Sequence, residues 1–215
     1  MPLQNRVDPF GQIHAVPERG MFTGNRGVIH DPETRTLLSR RWTTRAWLIC
    51  RCDYKGMRRA PMGRNARSGS AGWTELFFLD DVTALAAGHR PCFFCRAEQA
   101  KSYAACFGVA LGMPTPRAPE MDVRLHRERL AVGADAPTVA RDALASLPDG
   151  AMFADRDTAY AVKGGAALPW SFAGYGSPRG FDGVAGSALR LLTPAATVEV
   201  LRAGYRPVWH RTAKS

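Results

Sequence analysis

The sequence predicts an α+β fold of short strands and short helices, and three observations predict it. Aromatic and β-branched runs such as Trp42–Tyr54 and Trp73–Leu79 read as strands. Start and stop signals bracket short helices: Asp80 ahead of Asp81–Ala87 with Gly88 behind it, and Thr193-Pro194 ahead of a stretch closed by Gly204. Clusters of Gly, Pro, Asn and Asp separate these pieces throughout the chain.

Taken in order, residues 1–32 are rich in turn signals, with short strands expected at Ile13–Val16 and Val28–His30. Glu33–Arg40 reads as a turn or a short helix. Trp42–Tyr54 follows as a strand, and its period of two places Leu48, Cys50, Cys52 and Tyr54 on one face. Residues 56–72 read as a basic mobile loop before the strand Trp73–Leu79. After the first capped helix, His89-Arg90-Pro91 turns the chain into Cys92, and Arg96–Phe107 reads as a helix. Three prolines mark residues 111–120 as a linker between a basic region, 1–110, and an α+β region, 121–215, unless the two form one continuous domain. Beyond it, Met121–Leu130 and Ala136–Leu147 read as helices, the second with Pro137 in its first turn. Met152–Ala154, Ala159–Lys163 and Ala166–Trp170 read as strands, with Gly164-Gly165 as a hairpin turn. Leu189–Leu192 is a last strand before the helix capped by Thr193. The two capped helices share an ending, Ala-Gly-ring-Arg-Pro, at Ala87–Pro91 and Ala203–Pro207. A generic helix stop accounts for it, with a degenerate duplication as the alternative.

The chain of 215 residues carries a net charge of +10, and the excess is local. Arg40, Arg41, Arg45, Arg51, Lys55, Arg58, Arg59, Arg64 and Arg67 face a single acid, Asp53, which leaves +8 between residues 40 and 67. Such a segment attracts polyanions, and arginine suits bidentate contact with phosphate, so DNA or RNA is the expected partner. Arg40, Arg41, Arg45, Lys55, Arg58, Arg59 and Arg64 are the expected phosphate contacts. No apolar run approaches the roughly 18–20 residues that span a bilayer. Met-Pro-Leu-Gln-Asn-Arg has no apolar signal core, so no membrane association and a cytoplasmic location are expected.

Five cysteines without an export signal argue against a disulfide framework. Cys92-Phe-Phe-Cys95 has the spacing at which two thiolates chelate one zinc ion. Cys50 and Cys52 offer the other half, giving Cys50, Cys52, Cys92 and Cys95 as the ligand set of a zinc-stapled core around residues 50–95. Cys52, His89 and His126 compete for the fourth place, while Cys106 reads as a core residue. The N-terminal polar block includes Asp8, His14 and His30, which could hold a divalent cation and activate water against a phosphodiester.

Residues 75–95, with Gly88, Arg90, Pro91, Cys92 and Cys95 at their core, resemble the zinc-binding module of Ada-type DNA-repair methyltransferases. The resemblance implies two zinc ligands in Cys92 and Cys95 and a module lying against a DNA backbone. The family's upstream pair is C-x3-C, whereas here it is C-x-C and farther away, so alkyl transfer to Cys50 or Cys52 is not implied. The whole chain also resembles uncharacterised bacterial proteins that share Asn5–Gly11, the cysteine block and Trp170–Gly176; that resemblance implies no activity. Three functions remain open. One is a structural-zinc protein that binds DNA or RNA through phosphates. Another is a metal-dependent nucleic-acid processing or repair enzyme using the polar block. The last is a protein-interaction domain with a structural zinc.

Overall fold

The computed structural model describes residues 1–56, 60–130, 137–184, 186 and 188–214. It is an α+β protein, as the capped helices and short strands predict. The N-terminal half supplies β1 (Arg6–Val7), β2 (Ile13–His14), β3 (Phe22–Asn25), β4 (His30–Asp31), β5 (Thr36–Leu37), β6 (Leu48–Arg51), β7 (Leu76–Phe78), α1 (Asp81–Ala86), β8 (Arg90–Pro91) and α2 (Ala97–Ala110). The remainder supplies α3 (Ala118–Arg129), β9 (Thr138–Ala140), β10 (Met152–Asp155), β11 (Thr158–Lys163), β12 (Ala166–Ser171), β13 (Gly174–Tyr175), β14 (Ala188–Leu191) and α4 (Ala195–Arg202). One sheet runs β2-β1-β7-β3-β6-β8 and the other β13-β12-β11-β10-β14-β9, with β4 and β5 forming a separate hairpin.

Several expected elements change where tertiary contacts override local preference. Trp42–Tyr54 keeps only β6, because β3 pairs Asn25 with Leu48 and then turns away at Gly27, whose φ is 91°. Thr43 and Thr44 instead donate to the Arg26 carbonyl, and Lys55 and Gly56 take left-handed φ values of 56° and 67° beyond the strand. The helix expected at Ala136–Leu147 is β9 followed by a 3-10 turn at Arg141–Ser146; residue 136 itself lies outside the described residues. Thr138 and Val139 suit an edge strand, and pairing with β14 (Val139 opposite Leu189) draws them into that sheet. Glu33–Arg40 is largely the β4–β5 turn, with Asp31 accepting from the Glu33 amide at 2.8 Å. The expected mobile loop is anchored across residues 60–73: Met62 is fully buried and its amide donates to Glu75 Oε2 at 2.8 Å. Pro194 rather than Thr193 caps α4, and the Thr193 hydroxyl accepts from Met152 N at 2.8 Å.

The first capped helix forms as expected. Asp80 accepts from the Thr83 amide at 2.9 Å, and Gly88 follows the C-cap with φ of 79°. One hydrophobic cluster joins Val7, Ile49, Leu85 and Phe107 to Met121, Leu125, Val200 and Tyr205, so apolar packing is continuous across residues 111–120. The C-terminal segment also closes on α1. His210 N donates to buried Asp80 at 3.0 Å, Tyr175 donates to the same carboxylate at 2.9 Å, and Val208 N donates to Asp81 at 3.0 Å. Trp170 Nε1 reaches the Thr83 hydroxyl at 2.9 Å, which makes the Trp170–Gly176 hairpin part of this buried network. Asp80 and Asp81 thereby tie the start of α1 to the segment that follows the second Ala-Gly-ring-Arg-Pro ending. Burial holds the Asp80 carboxyl above its ordinary value despite these donors.

Candidate metal centre

The parallel pairing of β6 with β8 builds the centre. Leu48 lies opposite Arg90 and Ile49 opposite Pro91, so the next residues along the ladder are Cys50 and Cys92. Cys92 N donates to the Ile49 carbonyl at 3.0 Å and fixes this register. The chain then turns tightly, with the Phe94 amide donating to Cys92 Sγ at 3.4 Å, and Cys95 comes back to the same point. The sulfurs of Cys50, Cys92 and Cys95 lie within 4.8 Å of one another. Tetrahedral zinc with bonds of about 2.3 Å needs sulfurs about 3.8 Å apart, so the three sulfurs can occupy three of its four positions. The donor set fits zinc, and among the described residues it is the only cluster of three or more His, Cys, Asp or Glu placed to hold a metal ion.

The three thiols titrate together. Hydrogen bonds from Cys50 and Cys95 hold the Cys92 thiol well below its ordinary value, as a thiolate. The bond it makes to that thiolate pushes Cys50 up, with burial adding to the rise. The thiols share hydrogen bonds, and a dication bound among them would displace their protons.

Two buried ion pairs clamp the knuckle. Arg90 donates to Asp122 of α3 through Nε at 2.8 Å and Nη2 at 2.7 Å. Arg96, directly after Cys95, forms a bidentate pair with Asp81, one arm at 2.7 Å, and lies 4.2 Å over the Phe22 ring. Planar guanidinium forks hold orientation as well as charge, which explains arginine on both sides of the Cys-x-x-Cys turn. Neither Asp122 nor Asp81 was legible as a partner, since nothing local links them to the arginines they meet.

The other residues singled out in the sequence lie elsewhere. Cys52 follows the end of β6, so strand alternation no longer carries it to the Cys50 side; it is exposed, and its sulfur meets the Met21 carbonyl at 3.5 Å. His89 is fully buried between Trp47 and Phe78, and its Nε2 accepts from Arg26 Nε at 3.3 Å. Burial, with Arg26 and Arg129 nearby, pushes His89 well below its ordinary value, so it is neutral. His126 packs edge-on against Trp42 and meets Arg129 at 3.0 Å. Cys106 Sγ lies 3.6 Å from the Ala203 carbonyl against the core. In the N-terminal block, His14 bonds Asp8 at 2.7 Å, but His30 is buried apart from them against Thr74 at 2.6 Å and Gly63 at 3.3 Å. Asp8, His14 and His30 therefore do not converge on one cation.

A cavity of about 390 Å³ opens beside the cysteines, walled by Tyr54, Trp73, Phe77, Phe94 and Glu75 and reached by Cys52. Glu75 is committed, accepting from Met62 N at 2.8 Å and Asn65 Nδ2 at 2.5 Å. Around it, Lys55 is exposed and lies 5.5 Å over Tyr54. Arg40, Arg41 and Arg45 are exposed on the stretch before β6. Arg64 is exposed and paired with exposed Glu33 at 2.6 Å. Arg58 and Arg59 lie outside the described residues. No helix among the described residues is long and apolar enough to cross a membrane.

The chain matches no family model, no curated protein and no solved structure.

Proposed function

We propose that this is a zinc protein that binds DNA or RNA chiefly through backbone phosphates, with the metal fixing the knuckle beside an aromatic cavity. The observation that carries it is the meeting of three cysteines at one cavity wall, where β6, part of the chain's most basic segment, pairs with β8 and the turn that follows it. Zinc would be held by Cys50, Cys92 and Cys95 and would lock β6 to β8 as a cross-link between segments far apart in sequence. Tyr54, Trp73 and Phe94 would then offer ring faces for unstacked bases, and Arg40, Arg41, Arg45 and Lys55 would meet phosphates.

A second reading has one observation in its favour. Three protein ligands next to a cavity is the pattern of sites where zinc keeps an open position for water or substrate. A metal so placed would supply Lewis-acid activation of water. Glu75, the carboxylate in that cavity, already accepts two hydrogen bonds, which favours the binding reading over hydrolysis.

The test is the salt dependence of binding to a single-stranded and a duplex oligonucleotide. Four phosphate contacts give a slope of log affinity on log salt of about −3.6 for duplex DNA, roughly a 150-fold loss between about 50 and 200 mM salt. A flat salt response, or no binding at about 50 mM, refutes the reading.

A further inference from the structure

A larger cavity of about 640 Å³ shares no lining residue with the cysteine site. Four arginines line it, Arg26, Arg41, Arg129 and Arg190, against one acid, Glu128. That acid is already engaged, by Arg124 and by the Ala196 amide at 2.8 Å. Arg26 is only 2% exposed. Its Nε–H donates to His89 at 3.3 Å and its Nη1 to the Gly11 carbonyl at 3.0 Å, while Nη2 has no partner among the described residues. Arg129 donates to the carbonyls of Gly88, at 2.8 Å, and of Arg45, and its Nε is likewise unpartnered. Both guanidinium groups lie 4.0 Å from the Trp47 ring centre.

Two guanidinium charges packed on one indole, neither hydrogen-bonded to a carboxylate, are costly to bury without an anion. The strain shows in their acidity: burial, then the charge of Arg129, draws Arg26 down to about 9, and burial draws Arg129 down to about 10. The cavity volume falls in the range of small-molecule sites. Its walls include Phe10, with Arg190 stacked 4.8 Å over the ring, and Trp42, which is 39% exposed.

We propose that this cavity binds a phosphate monoester carried on an aromatic or heteroaromatic group, a nucleotide 5′-phosphate being the simplest case. The phosphate sits against Arg26 and Arg129, with Arg41 and Arg190 closing over it, and the ring packs on Phe10 and Trp42. A monoester is favoured over a carboxylate or an internal phosphodiester because its charge, near −2, matches two guanidinium groups that hydrogen-bond to no carboxylate among the described residues. The same assignment gives the N-terminal segment a role, since Gly11 holds Arg26 and Phe10 forms a wall. The proposal stands apart from phosphate-backbone binding by the basic segment; only Arg41 is common to both.

Titration calorimetry on the full chain tests it, with adenosine 5′-monophosphate, adenosine, inorganic phosphate and a 5′-phosphorylated oligonucleotide beside its 5′-hydroxyl form. The monophosphate is expected to bind at least about tenfold more tightly than adenosine. A preference for the phosphorylated strand end over the free nucleotide, or the reverse, identifies the source, and either supports the site. Arg190→Ala, at an exposed position, is expected to weaken the monophosphate about tenfold with the melting temperature unchanged. Phe10→Ala should weaken the monophosphate and leave inorganic phosphate unaffected. Equal binding of adenosine and its monophosphate, or no binding of any phosphate at about 10 mM, overturns the proposal. So does unchanged affinity in Arg190→Ala and Arg41→Ala, two exposed variants that decide the question even if Arg129→Gln fails to fold.

Discussion

Asp122→Ala tests the clamp on the metal knuckle. The Arg90–Asp122 pair is nearly dry, with side chains 4% and 9% exposed, and it is bidentate. Removing the carboxylate leaves the guanidinium, among the described residues, with the Pro91 carbonyl at 3.1 Å and the Phe93 ring at 5.6 Å. An uncompensated buried charge of this kind costs about 3–5 kcal/mol. That is a large part of a typical total of about 5–15 kcal/mol. With a urea dependence of about 3 kcal/mol per molar, the unfolding midpoint falls by about 1–2 M. Equilibrium urea unfolding by fluorescence, at fixed zinc, measures it. The double variant Arg90→Met with Asp122→Leu removes both charges, and it is expected to recover most of the loss. A cost below about 1 kcal/mol for Asp122→Ala would show that Arg90 reaches water and that the ion pair does not hold β8 in place.

Other outcomes follow from the same structure. Zinc measured by elemental analysis is expected at one ion per chain, lost in Cys50→Ser and Cys92→Ser and kept in Cys52→Ser and Cys106→Ser, because only the first two belong to the cluster. Equal loss in Cys52→Ser would return Cys52 to the ligand set. Stability is expected to fall by about 1.4 kcal/mol per pH unit below about pH 6.5, from His89 alone. Folded His89 stays neutral well below its ordinary value while the unfolded chain protonates it, so the unfolded state binds more protons on that side and the contribution is constant above about pH 7.5. Unfolding free energies at a series of pH values check this, and a slope that persists in His89→Gln would assign it to another group.

The local signals proved reliable where one short segment decides its own conformation. Asp80 with Gly88 brackets α1, Gly164-Gly165 turns β11 into β12 through two positive φ values, and Cys92-x-x-Cys95 folds into a thiolate knuckle. They failed where the backbone found a better partner far away. Thr138 and Val139 joined the edge of a sheet instead of starting a helix, and Trp42–Trp47 bonded to the turn at Arg26 instead of extending β6. The net positive segment was visible in composition, but that Arg41 lines one cavity and Arg51 another was not.

By itself, then, the sequence determined the α+β class, the knuckle cysteines and the basic character of residues 40–67, because each depends on spacing, capping or composition within a short stretch. Only the tertiary structure decided that Cys50 joins the knuckle while Cys52, two residues on, does not. That choice rests on a parallel ladder between β6 and β8, segments some forty residues apart, and on the end of that strand at Arg51. It also decided that Arg26 and Arg129 are packed together on Trp47 without a carboxylate. Pairing of distant charges is set by which surfaces the hydrophobic core brings face to face, and no local pattern records it.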